Sequence, residues 1–296
     1  MRRGRPSGRS GIVTLLTDFG LDDAYVGTVK GVILGINPAA RLVDLTHAVP
    51  PQDVRTGAEL LAAAWRVFPR GTVHLAVVDP GVGTARRPIA VSAGGHCFVG
   101  PDNGLLGFCF EIPGARGVVL QNPRYRRAPV SRTFHARDVF APAAAHCSRG
   151  VSLRALGPPL EDPVRLPPRG PRVRRGRVTG EVIWVDRFGN LLTNVRAEDL
   201  AGDPAAWSLR IGRARIPALV GTYGDCPAGG LGALLDSSGR VEIFVREGDA
   251  ARRLGVGPGT PVSLRSRFPT GSRRRSGRAR TPSSRRTPRR SASPPP

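Results

Sequence analysis

Carboxylates, an imidazole and a side-chain amide crowd into four short segments of this chain. They are Thr17-Asp18-Phe19-Gly20, Val78-Asp79-Pro80-Gly81-Val82-Gly83, Phe134-His135-Ala136-Arg137-Asp138 and Asp186-Arg187-Phe188-Gly189-Asn190. Each falls where an apolar run gives way to a turn, the place where a scaffold presents reactive groups. Asp18 closely follows Ile12–Leu16, so its carboxylate stands at the end of a strand. There it could accept from two vicinal ribose hydroxyls, or it could serve as a turn or helix-capping residue; on position alone the two readings stand level. Asp79 ends a second strand and precedes glycines that permit close backbone approach, then Arg86 and Arg87. By itself that segment reads as a tight turn with surface arginines. A lone histidine such as His135 is more often structural than catalytic, and Asp138 beside it could be a helix N-terminal charge. Asp186 to Asn190 offer hydrogen bonds and an aromatic face, but also fit a plain β-hairpin, as does Asp236-Ser237-Ser238-Gly239.

The elements that must position these groups fall into two kinds. From 12 to about 166, strands alternate with helices. Ile12–Leu16 is followed by a helix that Asp22-Asp23 would cap and Asn37-Pro38 would stop. Leu42–Leu45 is the next strand, Asp53–Phe68 the second helix, Thr72–Val78, Pro88–Ala93 and His96–Val99 further strands, and Ala136–Ser148 a third helix. This predicts an α/β domain with a largely parallel sheet flanked by helices. Residues 167–176 are a Pro/Arg/Gly linker. From 177 to 267 the helical period disappears, and short β-branched runs at 177–185, 191–195, 207–211, 216–220, 233–235, 241–245 and 261–264 predict a smaller all-β domain.

The net charge of +23 suggests nucleic acid until it is located. Residues 1–11 hold four arginines and residues 268–296 hold nine, with no acid in either. Both tails are expected to be disordered. They could touch nucleic acid weakly, although a solvated appendage is the plainer reading. Lys30 is the one lysine against 44 arginines, which reads as a coding bias. The four cysteines have no metal-binding spacing and suit a reducing compartment. No apolar run is long enough to span a membrane, so a cytoplasmic protein is expected.

The motifs gain meaning as a set. In order they are 17–31 (Thr-Asp-Phe-Gly-Leu-x-Asp-x-Tyr-Val-Gly-x-x-Lys-Gly), 77–91 (Val-Val-Asp-Pro-Gly-Val-Gly-Thr-x-Arg-Arg-Pro-Ile-Ala-Val), 100–106 (Gly-Pro-Asp-Asn-Gly-Leu-Leu), 133–142, 186–191 and 236–243. Over roughly 12–266 the chain resembles the S-adenosyl-L-methionine (SAM) hydroxide adenosyltransferases, or adenosine-forming SAM hydrolases, relatives of fluorinase and chlorinase. The resemblance implies attack of water or hydroxide on C5′ of SAM, giving adenosine and L-methionine, with no cofactor and no metal. It assigns Asp79, Arg86 and His135 to catalysis. Asp18, Asp23, Tyr25 and Phe134 would contact substrate from the first domain, and Asp186, Phe188, Asn190, Ser237, Val245 and Glu247 from the second. It further implies a homotrimer with the site at the subunit interface. Asp79 stands where the halogenases have a tyrosine, which favours hydrolysis over halogenation. A SAM- or adenosine-binding regulatory protein and a halogenase are the alternatives. Ala136, where relatives of this branch have glycine, and Phe244 and Arg246 in the adenine-facing strand depart from the pattern.

Overall fold

A computed structural model describes residues 10–267. The tail assignments at 1–9 and 268–296 therefore lie outside the described residues. Ser10 and Gly11, read as the end of the first tail, belong to the fold: the Ser10 hydroxyl meets that of Thr72 at 3.0 Å and its carbonyl accepts from Arg41. The chain divides into two compact units, one ending at Gly170 and the other beginning at Pro171.

In the first unit β1 (Ile12–Thr17), β2 (Arg41–Thr46), β3 (Val73–Val77), β4 (Pro88–Ala93), β5 (His96–Pro101) and β6 (Arg116–Val119) form one sheet in the order β2-β1-β3-β5-β4-β6. The pairings β1–β2, β1–β3 and β3–β5 are parallel, while β4 runs antiparallel to both β5 and β6. The sheet is mixed rather than largely parallel. The cause is local: Ala93 and His96 are joined only by Gly94 and Gly95, both at positive φ (58° and 85°). A two-residue link of that geometry can only fold a strand back beside its neighbour.

Helices cover both faces. α1 (Tyr25–Ile36) buries Val29, Val32 and Ile33 against Val13, Leu15, Val73, Leu75 and Val77, together with α3 (Ala141–Ser148). α2 (Val54–Ala64) lies among the residues of the opposite face, its Leu61 packed with Leu16, Ala76 and Val78. The Asp53 side chain caps α2 by accepting from the Thr56 amide at 3.0 Å. Asp22 and Asp23 do not cap α1; its N-cap is Ala24, with no side-chain bond. Ala136–Phe140 forms a π-turn that leads into α3. A short α4 (Leu153–Leu156) closes the unit.

The second unit is antiparallel throughout. It comprises β7 (Arg172–Arg174), β8 (Arg177–Val185), β9 (Leu191–Arg196), β10 (Trp207–Ile211), β11 (Ala214–Ile216), β12 (Leu231–Leu235), β13 (Arg240–Val245) and β14 (Pro261–Ser266). Their order is β11-β10-β14-β8-β9-β13-β12, with β7 paired to β8. β7 occupies part of the segment read as a linker. One short helix, α5 (Ala250–Leu254), breaks the all-β expectation; Asp249 caps it and Gly255 ends it at φ 64°. Val178, Val182, Leu191, Trp207, Leu209, Val241, Ile243 and Leu264 build its core. Among the described residues no helix is long and apolar enough to cross a membrane.

The buried His74 joins the Thr14 hydroxyl (2.8 Å) to His96 (3.1 Å). Desolvation, then the neighbouring His96, lowers its pKa from 6.5 to about 3. The folded state keeps it neutral while the unfolded state takes up a proton below pH 6.5, so stability falls as pH drops from 6.5 toward 3. His74→Gln, which does not titrate, should narrow the stability gap between pH 7.0 and pH 4.5 by about 2–3 kcal/mol. Urea unfolding at the two pH values measures this; an unchanged gap would show that other groups carry the acid sensitivity.

Candidate active site

The carboxyl end of β3 delivers Asp79, and the turn after it returns Arg86 onto that same carboxylate. Arg86 Nε donates to Asp79 Oδ1 at 3.0 Å and Nη2 donates to Oδ2. The two side chains are each only 6% exposed. Nη2 also reaches His135 Nδ1 at 3.1 Å, and the guanidinium lies 5.3 Å over the Phe140 ring. A guanidinium has donors only. Nδ1 of His135 is therefore the acceptor, the ring is neutral, and its proton sits on Nε2. Three residues from separate motifs are thus joined by one fork of hydrogen bonds.

Local backbone makes the meeting feasible. Gly83 (φ 80°) lies so close to the 132–135 segment that a Cβ there would come within 2.6 Å of the Arg132 carbonyl oxygen. The Thr84 hydroxyl donates to the Gly81 carbonyl at 2.7 Å, closing the turn. On the other side Asp138, 1% exposed, accepts from the Ser131 amide at 2.9 Å and from Arg137. Those contacts, Arg137 first, hold its pKa below 3.8. Asp138 braces the loop that carries His135 and is more than a helix-terminal charge.

The electrostatics favour a reactive carboxylate. Burial raises the Asp79 pKa above 3.8, outweighing the pull of the Arg86 guanidinium, and the Asp18 carboxylate adds to the rise. Burial also lowers His135 below 6.5, with Arg86 as the second cause.

Asp79 and His135 line a cavity of about 490 Å³, together with Asp18, Phe19, Tyr25, Pro51, Gln52, Val77, Pro80, Val82, Thr133, Phe134 and Ala136. That size lies within the range of small-molecule sites. Arg86 stands behind Asp79 and is absent from the lining. Phe19, Tyr25 and Phe134 form an aromatic wall with ring centroids 5.3–6.3 Å apart. Asp18 does not cap α1. Its Oδ2 accepts from the Gln52 amide at 2.8 Å, and Gln52 holds φ at 67°, a left-handed conformation rare for such a residue. The neighbouring Thr17 hydroxyl meets His47 Nδ1 at 2.8 Å, and the Gly20 amide donates to the His47 carbonyl at 2.8 Å. Residues 47–52 therefore brace the Asp18 turn. Asp23 is exposed and outside the lining.

In the second unit both Asp186 oxygens are engaged in their own turn: Oδ1 accepts from the Phe188 and Asn190 amides at 2.8 and 2.9 Å, and Oδ2 from Asn190 Nδ2 at 3.1 Å. This holds Phe188 outward, 76% exposed. Ser237 is exposed, Val245 is buried at the end of β13, and Glu247 is exposed with φ 57°. Sequence reasoning passed over Glu242. It is 4% exposed, accepts from Tyr223 Oη at 2.8 Å, and is raised above 4.5 by burial, with Asp186 and Asp236 contributing. An acid inside a β-rich run was the signal. Gln52 and Thr133 were passed over too, because neither stands out by type.

With this geometry in place, comparison with known proteins is direct. Residues 13–157 match the SAM hydroxide adenosyltransferase N-terminal domain, and residues 180–263 match the corresponding C-terminal domain. The chain belongs to the SAM hydroxide adenosyltransferase family. It is 43% identical to a protein of Thermus thermophilus named (R)-S-adenosyl-L-methionine hydrolase, over 85% of this chain and 98% of that one. A protein of the same name from Salinispora tropica is 46% identical over 83% of this chain and 95% of its own length. A fluorinase from an Actinoplanes species is further off, at 30% identity over 66% of this chain and 75% of its length. An uncharacterized conserved protein from Thermotoga maritima has a solved structure that matches with a TM-score of 0.80 at 38% identity, covering 85% of this chain and 99% of that one.

The brace on Asp18 leads to a stability prediction for this family member. Gln52→Gly keeps the amide and removes the strain of positive φ, so its stability should stay within about 1 kcal/mol of the wild type. Gln52→Pro loses the amide and cannot reach positive φ, and should cost about 3 kcal/mol or more. Chemical denaturation of both variants is the check; equal stability would mean that the Asp18 contact is dispensable.

Proposed function

We propose that this chain hydrolyses SAM to adenosine and L-methionine, with water as the nucleophile at C5′. One observation carries the reading: the Arg86 fork holds Asp79 and His135 together at the wall of a cavity that Asp18 also lines. The hydrolase relatives and the family membership support it.

The sulfonium leaves as a neutral thioether, so no general acid is needed. The difficulty is the nucleophile, because bulk water has a pKa of about 15.7. His135, protonated on Nε2, can donate to the water oxygen and orient it. Asp79, made more basic by burial, keeps free lone pairs beyond those that Arg86 occupies and can take the water proton. As the C5′–O bond forms, the C5′–S bond breaks and its electron pair goes to sulfur. Alignment can contribute roughly 7–11 kcal/mol, and base assistance typically adds about 10²–10⁴-fold. Arg86 is a positioning residue in this scheme, since it acts through Asp79 and His135. Asp18 receives the ribose hydroxyls, Phe19, Tyr25 and Phe134 pack the ligand, and no cofactor takes part.

Asp79→Asn and His135→Ala should lower kcat by about 10²–10⁴-fold with KM changed by a few-fold at most, as read from adenosine formation. Arg86→Ala should do likewise. Wild-type turnover in all three would refute the assignment. Below pH 6.5 activity should fall, as proton uptake by His135 breaks its contact with Arg86. In oxygen-18 water the label should appear in adenosine. Tight SAM binding without product would indicate a regulatory binding protein, and 5′-halo-adenosine in the presence of halide would indicate a halogenase.

The same reading includes a homotrimer in which Asp186, Phe188, Asn190, Ser237, Val245 and Glu247 of one copy complete the cavity of a neighbour. Asp23 would serve the methionine end. The four unbridged cysteines accord with a cytoplasmic setting. Light scattering should give three times the chain mass; a fully active monomer would overturn the shared-site arrangement.

A further inference from the structure

Two rows of side chains cross the exposed face of the second unit's sheet, and nothing in the proposed reaction uses them. Residues directly opposite in antiparallel strands share a face. The register therefore aligns Arg174, Arg177, Arg265 and Ser208 in one row. It aligns Arg172, Thr179, Ser263, Arg210 and Arg215 in the other. The alternate residues Val178, Leu209, Ile211, Ile216, Val262 and Leu264 fill the core beneath. Arg177, Arg210, Arg215 and Arg265, with Ser208 and Ser263, line a depression of about 320 Å³.

The arrangement is unfavourable for the isolated chain. Arg177 faces both Arg174 and Arg265, and Arg210 faces Arg215. Like charges directly opposite one another destabilise a sheet. Neither row contains an acid; Glu181, the next residue on that face of β8, lies beyond them opposite Pro261. A coding bias toward arginine accounts for abundance but not for this segregation. Some arginines elsewhere among the described residues do meet acids, as in Arg86–Asp79, Arg87–Asp102 and Arg137–Asp138.

We infer that this face binds the phosphodiester backbone of double-stranded nucleic acid. One row extends across four strands and the other across five, the longer about 19 Å at ordinary strand spacing. That is far longer than a single phosphate requires. Guanidinium groups and hydroxyls are the donors that contact phosphates without reading sequence. The rows carry no aromatic ring, so they offer no platform for stacking unpaired bases. They carry no apolar side chain to enter a lipid layer either. In the sequence, nine further arginines and no acid follow β14 within residues 268–296. This binding is independent of SAM turnover.

Fluorescence anisotropy on the full chain tests it, using two unrelated 20-base-pair duplexes, one of their single strands, and anionic phospholipid vesicles as competitor. Both duplexes should bind alike and better than the single strand. Affinity should drop steeply between 50 and 200 mM salt. The Arg210→Ser/Arg215→Ser/Arg265→Ser variant should bind more weakly, with the log–log salt slope reduced by about 2.7. Its melting temperature should equal or exceed that of the wild type. Should the variant not fold, amide exchange in wild-type β10 and β14 still decides, because added duplex should slow it. The proposal fails if no duplex binds at 50 mM salt, or if the variant keeps the wild-type slope. It also fails if single strand or vesicles bind better than duplex, or if the exchange of those strands is unaffected.

Discussion

The first unit's site depends on the fact that a guanidinium can donate hydrogen bonds and cannot accept them. Arg86 therefore dictates the state of both its neighbours: the Asp79 carboxylate must accept, and His135 must present an unprotonated Nδ1. The pair is nearly buried, and burying charge is tolerable only when the partners are well matched. Removing either member would strand the other's charge or its donors. The last residue of the π-turn, Phe140, lies beneath the guanidinium. Gly83 lets the turn after β3 press against the loop before the π-turn, and Asp138 holds that loop from its far side. The reactive geometry thus follows from how closely two backbone segments approach.

Across the cavity a second arrangement works by backbone strain. Gln52 adopts a left-handed conformation to aim its amide at Asp18, and His47 ties down Thr17 and Gly20. Strained residues persist where the surrounding structure over-determines them. Here the surroundings are the end of β1 and the cap of α2, both anchored in the core. Asp18 and Asp79 are held by different loops, and the Asp18 carboxylate is a minor contributor to the rise of the Asp79 pKa, which burial dominates.

The second unit assigns its two sheet faces opposite tasks. One face is aliphatic core around Trp207 and Leu264. The other carries arginine opposite arginine, an unfavourable pairing of like charges. Its polar turns, Asp186–Asn190 and Asp236–Arg240, are satisfied by their own backbone amides.

Residue type and spacing by themselves determined the α/β-then-β order, the placement of Asp18 and Asp79 at strand ends, and the family resemblance that six ordered motifs carry. Those features are local, set by periodicity and turn chemistry within a few residues. Tertiary structure decided the rest. It turned β4 against β5 through Gly94-Gly95, made Ala24 rather than Asp23 the start of α1, and placed helix α5 in a β-rich unit. It also brought Arg86 to His135 across 49 positions and aligned arginines from five strands into rows. Contacts of that kind depend on strand register and on close approach of distant backbone, and neither leaves a periodic trace in a linear chain.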